Sequence, residues 1–282
     1  MTGIKWRTRT NRSTRTLRAG VGGALLLTLL AACSAAEPAG DTVRQPPVDA
    51  AFDYQLGGAY PPPAKVRAVS RDRTADPVPG RYNICYVNAF QAQPGAKAAR
   101  WWQREHPDLV LRDKDGETVV DEDWKEPLLD ISTADKRAAL AEVVGRWIDG
   151  CGTAGFDAVE PDNLDSYERS EGLLTADDAA AFARLLAERA HRGGLAIAQK
   201  NTTDLIGERR RIGFDFAVTE ECAQYKECGA YEKAYNGKVF DIEYETKAFD
   251  AACRTWGKKL SLTLRDRDVS TPGEDSYVYR HC

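Results

Sequence analysis

Two apolar runs of this chain end in carboxylates. Gly155-Phe156-Asp157-Ala158-Val159-Glu160-Pro161-Asp162-Asn163-Leu164-Asp165 carries three acids in its last six residues, and Phe214-Asp215-Phe216-Ala217-Val218-Thr219-Glu220-Glu221-Cys222 closes on two more. Charges at the end of a hydrophobic strand are costly to a core and useful to a cleft. Two strands delivering acids to one cleft suit glycoside cleavage. That reaction needs a protonated carboxyl to donate to the leaving oxygen and an ionised carboxylate to attack or to activate water.

The elements that would position these acids form an alternating series. Strand-like segments run Val66–Arg71, Tyr82–Asn88, Pro127–Ile131, Phe156–Glu160, Leu195–Lys200, Phe214–Glu220, Val239–Glu243 and Leu260–Leu264, eight in all. Amphipathic stretches lie between them, such as Thr133–Gly150 and Thr175–Arg192; the latter opens with Thr175 as N-cap and Asp178 three residues on, and stops at Gly193-Gly194. Eight strand–helix alternations predict an α/β chain folded as a (β/α)8 barrel, with a flavodoxin-like open sheet as the alternative. Barrel enzymes work at the ends of their strands. Asn88, Asp130, Glu160, Asp162, Lys200, Asn201, Glu220, Glu221, Glu243 and Tyr244 all fall at or just past an expected strand end.

Residues 1–32 read as an export signal. Lys5, Arg7, Arg9, Arg12, Arg15 and Arg18 precede an apolar run from Ala19 to Ala32, and Leu30-Ala31-Ala32-Cys33 resembles the lipobox of bacterial lipoproteins, with Cys33 as the lipidated residue. Fourteen apolar residues are few for a membrane-spanning helix. Residues 33–50 are expected to tether a domain of 51–282 to the membrane. Without the leader, 33 basic residues face 43 acidic ones, a net charge of −10, which disfavours nucleic acid and favours a cationic ligand. Cys85, Cys151, Cys222, Cys228, Cys253 and Cys282 are an even set in an exported chain and so predict disulfides. Cys222 and Cys228 are close enough to staple one loop; Cys85 is paired with Cys151, and Cys253 with Cys282.

The motifs around Glu160-Pro161-Asp162-Asn163, Lys200-Asn201, Glu220-Glu221-Cys222 through Cys228, and Phe240-Asp241-Ile242-Glu243-Tyr244 resemble glycoside hydrolase family 114. So do Tyr54-Gln55-Leu56, Cys85-Tyr86 and Leu129-Asp130-Ile131. The resemblance implies a (β/α)8 fold and hydrolysis of α-1,4-linked galactosamine polymers with retention at the anomeric carbon. Phe52 and Tyr54 stand where the family has tryptophans, and Ser70-Arg71-Asp72 replaces an acid-rich first-strand end. Beside that resemblance, Asp162 is assigned as nucleophile and Glu220 as acid/base, with Glu221 and Glu243 as rivals to Glu220. Glu160, Asp130, Asn163, Asn201 and Lys200 are assigned to substrate or to its support. Lys200 suits either a structural ion pair or the task of holding a nucleophile ionised. Tyr54, Tyr86 and Tyr244 are expected to stack on sugar faces, Asp157 and Asp215 to hold register, and Trp101-Trp102 to pack a helix or form a rim platform.

The expected partner is a partly deacetylated, cationic galactosamine-containing polysaccharide. A catalytically silent carbohydrate-binding barrel is the competing reading. A metal-dependent hydrolase would need ligands that His106, His191 and His281 do not assemble with the cysteines. No nucleotide or flavin cofactor is expected, since Gly57-Gly58 and Gly193-Gly194 lack a phosphate-loop pattern.

Overall fold

Along the chain, β1 (Phe52–Gln55), β2 (Ala68–Asp72) and β3 (Tyr82–Asn88) lead to α1 (Ala96–Glu105) and to a two-stranded hairpin, β4 (Val120–Asp121) with β5 (Glu126–Pro127). Then follow α2 (Ala134–Ala154), β6 (Ala158–Asp162), α3 (Ala176–Arg192), β7 (Ala196–Lys200), α4 (Arg209–Ile212), β8 (Phe216–Glu220), α5 (Cys228–Tyr235), β9 (Val239–Glu243), α6 (Thr246–Trp256), β10 (Ser261–Arg265) and β11 (Tyr279–His281). These come from a computed structural model that describes residues 43–93 and 95–282. Cys33 and the leader lie outside the described residues.

The sheet order is β1-β2-β3-β6-β7-β8-β9-β10-β11; eight strands pair in parallel and β11 joins β10 antiparallel. Strand alternation sorts the side chains into two cores. Phe52, Ile84, Ala158, Ala198, Phe216, Val218, Phe240 and Ile242 share the cluster inside the barrel. Val87, Val159, Ile197 and Ala217 face outward into the cluster under the helices, where α3 brings Phe182 and Leu186. Helix ends follow local chemistry. Thr175 and Asp178 form a capping box on α3, and Gly155 closes α2 at φ 93°.

The barrel closes between β1 and β10 through side chains. The Arg265 guanidinium, wholly buried, donates to the carbonyls of Tyr54, Ser270 (2.7 Å) and Val278 (2.8 Å). It thereby ties β1 to the loop after β10 and to the approach to β11. A Cβ at Gly57 would sit 2.4 Å from the Val269 carbonyl oxygen, so only glycine lets these two loops meet.

Eight parallel strands are present, but not the eight read from the sequence. Pro127–Ile131 is no barrel strand: Leu128 and Leu129 make antiparallel bridges to Gln91 and Val110 within the insertion between β3 and α2. The place is taken by Phe52–Gln55. Its two outward polar residues hide it, because Asp53 and Gln55 are buried by pairing with each other (2.7 Å), with Tyr60, with Arg71 and, for Asp53, with Arg265 at 3.6 Å.

At the barrel's closed end, Asp157 accepts the Asn83 N–H and Asp215 accepts the Ile197 N–H, each tying neighbouring strands in register. Residues 43–50, expected as tether, also reach this end. Arg44 pairs with Asp157 at 2.7 Å, and Gln45 accepts from Lys238 at 2.6 Å. Trp102 is fully buried against Trp147 of α2, so this pair of aromatics joins α1 to α2. Disulfides join Cys85 to Cys151, Cys222 to Cys228 and Cys253 to Cys282. Three such bridges belong to an oxidising, extracytoplasmic compartment. No described helix is long and apolar enough to cross a membrane.

Candidate active site

A cavity of about 860 Å³ opens where the parallel strands end. Its floor is built by alternation. On β6, Ala158, Glu160 and Asp162 share the inward face; on β7, Ala196, Ala198 and Lys200; on β8, Phe216, Val218 and Glu220. The inward face thus changes from apolar to ionic over the last turn of the pleat.

Lys200 lies at the centre. Its side chain is 2% exposed, and its ammonium lies 2.9 Å from Asp162, 3.1 Å from Glu160 and 3.3 Å from Glu220. Each of these carboxylates also accepts from a tyrosine: Glu160 from Tyr54 (2.9 Å), Asp162 from Tyr86 (2.6 Å) and Glu220 from Tyr244. Ser70 completes the Glu160 shell at 2.8 Å. Asn201 accepts the Glu220 N–H at 2.8 Å and donates weakly to its carboxylate at 3.4 Å.

Environment then differentiates the acids. Burial pushes the Glu160 carboxyl above the usual range, and Lys200 only partly offsets it. Burial acts on Asp162 too, but there the Lys200 charge and the Tyr86 and Lys200 hydrogen bonds win, so its carboxyl is held below the usual range. Lys200, although burial alone would lower it, is raised well above the ordinary lysine value by Asp162, Glu220 and Glu160. Asp162 is therefore an ionised carboxylate facing the cavity, and Glu160 lies sealed beneath it.

Tyr54, Tyr86 and Tyr244 line the cavity as a group. Tyr54 is only 1% exposed, so its hydroxyl, rather than its ring face, meets the site. Asn163 sits at the rim, donating to Asn88 at 2.9 Å. Glu220 is the inward residue of the adjacent pair. Glu221 turns aside at φ 58°, a left-handed conformation that a glutamate adopts at a cost of roughly 1 kcal/mol, and pairs with Arg267 at 2.8 Å on the rim. Asn163, Asn201 and Thr202 are left-handed as well, so three successive strands end in the same sharp turn.

Two residues expected at the mouth are not there. Asp130 accepts from Ser132 and pairs with Lys136 at the start of α2, because its segment belongs to the insertion. Glu243 points outward, since Ile242 and Tyr244 take the inward face of β9 and its continuation. It accepts the Ala223 N–H at 2.7 Å, bracing the loop after Glu220 from behind. Beside it, burial and the Glu243 charge push Asp241 well above the usual carboxyl range. Cys222 and Cys228 approach these two acids with metal-like spacing, but their sulfurs are joined in a disulfide.

Loops supply what the strand pattern could not announce. Trp124 (66% exposed) on the β4–β5 hairpin and Tyr225 (63% exposed) on the Cys222–Cys228 loop both line the cavity, as do Glu126 and Arg267. Twelve carboxylate side chains and two guanidiniums line it in total, a strongly negative enclosure.

A (β/α)8 barrel with paired carboxylates at its mouth is the architecture of a glycoside hydrolase. Residues 33–282 match glycoside-hydrolase family GH114, and the chain belongs to that family. Among solved structures it is similar to Ega3 of Aspergillus fumigatus, solved in complex with galactosamine; the two share 27% identity and a TM-score of 0.67 over 86% of this chain and 98% of the other. It is similar in fold to the glycoside hydrolase domain of PelA from Pseudomonas aeruginosa, at 14% identity and a TM-score of 0.56 over 81% and 99% of the two chains. Comparison with curated proteins gave no match.

Proposed function

We propose that this glycoside hydrolase is a retaining endo-hydrolase of α-1,4-linked galactosamine polymers, with Asp162 as nucleophile and Glu220 as acid/base. The carrying observation is the single ammonium that bridges both carboxylates. Lys200 is 2.9 Å from one and 3.3 Å from the other, so their nearest oxygens are at most 6.2 Å apart, the two distances end to end. Even this upper bound falls short of the roughly 6.5–9.5 Å of inverting enzymes, which favours the roughly 5–5.5 Å spacing of retaining ones.

In this mechanism Asp162 attacks the anomeric carbon as the glycosidic C–O bond breaks, and Glu220 gives its proton to the departing oxygen. Water then attacks the anomeric carbon of the glycosyl–Asp162 ester and loses a proton to Glu220, and the C–O bond to Asp162 breaks to release it as a carboxylate. Tyr86 and Lys200 fix the attacking group, and Tyr244 and Asn201 hold the proton donor. The substrate class rests on the twelve-carboxylate enclosure, which suits free amines that are cationic near neutral pH, and on the similarity to a protein solved with galactosamine. Lipidation at Cys33 would hold the enzyme at the envelope surface.

The test is reducing-end release from purified galactosaminogalactan, with the anomeric configuration of the first product followed by NMR. Saturable binding without new reducing ends would make the protein a carbohydrate-binding barrel, and loss of activity with chelator would favour metal-assisted hydrolysis.

A further inference from the structure

The β4–β5 hairpin brings two buried carboxylates to the cavity, Asp121 and Glu126, and the proposed chemistry uses neither. Glu126 is 4% exposed, yet it lines the cavity. Its Oε2 accepts from Asn88 at 2.8 Å, and Asn88 stands opposite Asp162 in the β3–β6 ladder. Among the described residues its Oε1 has no hydrogen-bond partner, and no cation pairs with it. The nearby Arg169 is already held by Asp121 and Asp165, each at 2.8 Å. A buried carboxylate without a counter-charge is unfavourable unless something else supplies one. Burial first, with Asp162 and Asp121 adding to it and Asn88 opposing, raises this carboxyl to about 7. Two residues before it, Trp124 lines the same cavity and is largely exposed.

We propose that Glu126 receives the ammonium of a galactosamine unit in a subsite adjoining Asp162, with Trp124 as the platform beneath that sugar, so that this hairpin selects the free amine over N-acetyl. The assignment rests on the substrate reading above and adds the residue that enforces it. An ammonium brings three donors and the missing positive charge to Oε1. An acetamide brings one neutral N–H and a methyl, leaving the buried carboxylate uncompensated, which is how a polar site rejects an analogue lacking its partner.

The experiment compares α-1,4-galactosamine oligosaccharides with their N-acetylated counterparts, by calorimetric binding and by kcat/KM, in the full chain and in Glu126→Gln. Glutamine keeps the shape and the Asn88 contact but not the charge. The preference for the free amine should fall about tenfold or more in Glu126→Gln, the scale of a charged hydrogen bond, and be partly kept in Glu126→Asp. Trp124→Ala, at a largely exposed side chain, should weaken binding of both oligosaccharides. Wild-type preference persisting in Glu126→Gln, or equal losses on both substrates, would overturn the assignment while leaving the hydrolase reading intact. A wild-type protein that neither binds nor cleaves the amine polymer would remove both.

Discussion

One buried cation, Lys200, stands 2.9 Å from Asp162 and 3.3 Å from Glu220, and so joins the two carboxylates through a single ammonium. With Glu160 at 3.1 Å it faces three carboxyl groups. The three tyrosine hydroxyls orient these groups by donating one hydrogen bond to each.

Lys200→Met should therefore act on pH dependence as well as stability. Asp162 has its carboxyl depressed, so the stability it contributes is present above the ordinary value of 3.8 and is lost as pH falls through its lower folded value. Without Lys200, burial is less opposed and the carboxyl titrates higher. The acid limb of kcat/KM should shift to higher pH, and denaturant unfolding at pH 7 should show a loss of about 3–5 kcal/mol, the scale for breaking a buried pair. An unmoved acid limb would mean that Lys200 does not govern Asp162.

The disulfides should separate stability from activity. Cys85–Cys151 spans 66 residues and Cys222–Cys228 spans six. In a loop-entropy account the first constrains the unfolded chain more, by about 1–2 kcal/mol. Replacing Cys85 and Cys151 by Ser should lower Tm more. Replacing Cys222 and Cys228 should lower kcat/KM more, because their loop follows Glu220 directly and carries Glu221 and Tyr225 to the cavity. Thermal melts and turnover on both double variants check this; equal effects would show that the short staple has no role at the mouth.

Strand ends were legible where apolar alternation leads without a break into an acid, as at Ala158-Val159-Glu160 and Phe216-Ala217-Val218-Thr219-Glu220. Parity then sets Glu160, Asp162 and Lys200 on the inward face. Adjacent Glu220 and Glu221 were not separable, because one residue reverses the face and sequence does not say which face is inside. Glu243 was misread for the same reason. Pro127–Ile131 shows another limit: a buried apolar run reads alike whether it crosses a barrel or backs an insertion. Trp124 and Tyr225 come from loops and Glu126 from a two-residue strand, where no periodicity reports direction. Their one sequence signal is an aromatic or an acid among polar residues, which is commonplace on a surface.

The envelope reading has its own test. Cys33→Ala removes the thiol to which a diacylglyceryl group would attach, so metabolic labelling with a fatty-acid analogue should disappear and the protein should leave the membrane fraction. Unchanged labelling would discard lipidation at this residue, with no consequence for the barrel.

The catalytic pair can be resolved step by step. Asp162→Asn keeps the Tyr86 contact but cannot attack, so hydrolysis should fall by several orders of magnitude while polymer binding persists. Glu220→Gln should be as damaging on the polymer, whose leaving oxygen needs a proton, yet spare much of the first step for an activated aryl glycoside. With that substrate a glycosyl–enzyme intermediate should accumulate, since no base remains to deprotonate water. Azide needs no deprotonation, so it should restore turnover and give a glycosyl azide with the anomeric configuration of the substrate, readable by NMR. An inverted azide would assign single displacement in place of retention. Wild-type polymer turnover in Glu220→Gln would move the proton donor to Glu221, which sits on the same rim. It could not move to Glu243, whose carboxylate faces the Ala223 N–H behind the loop.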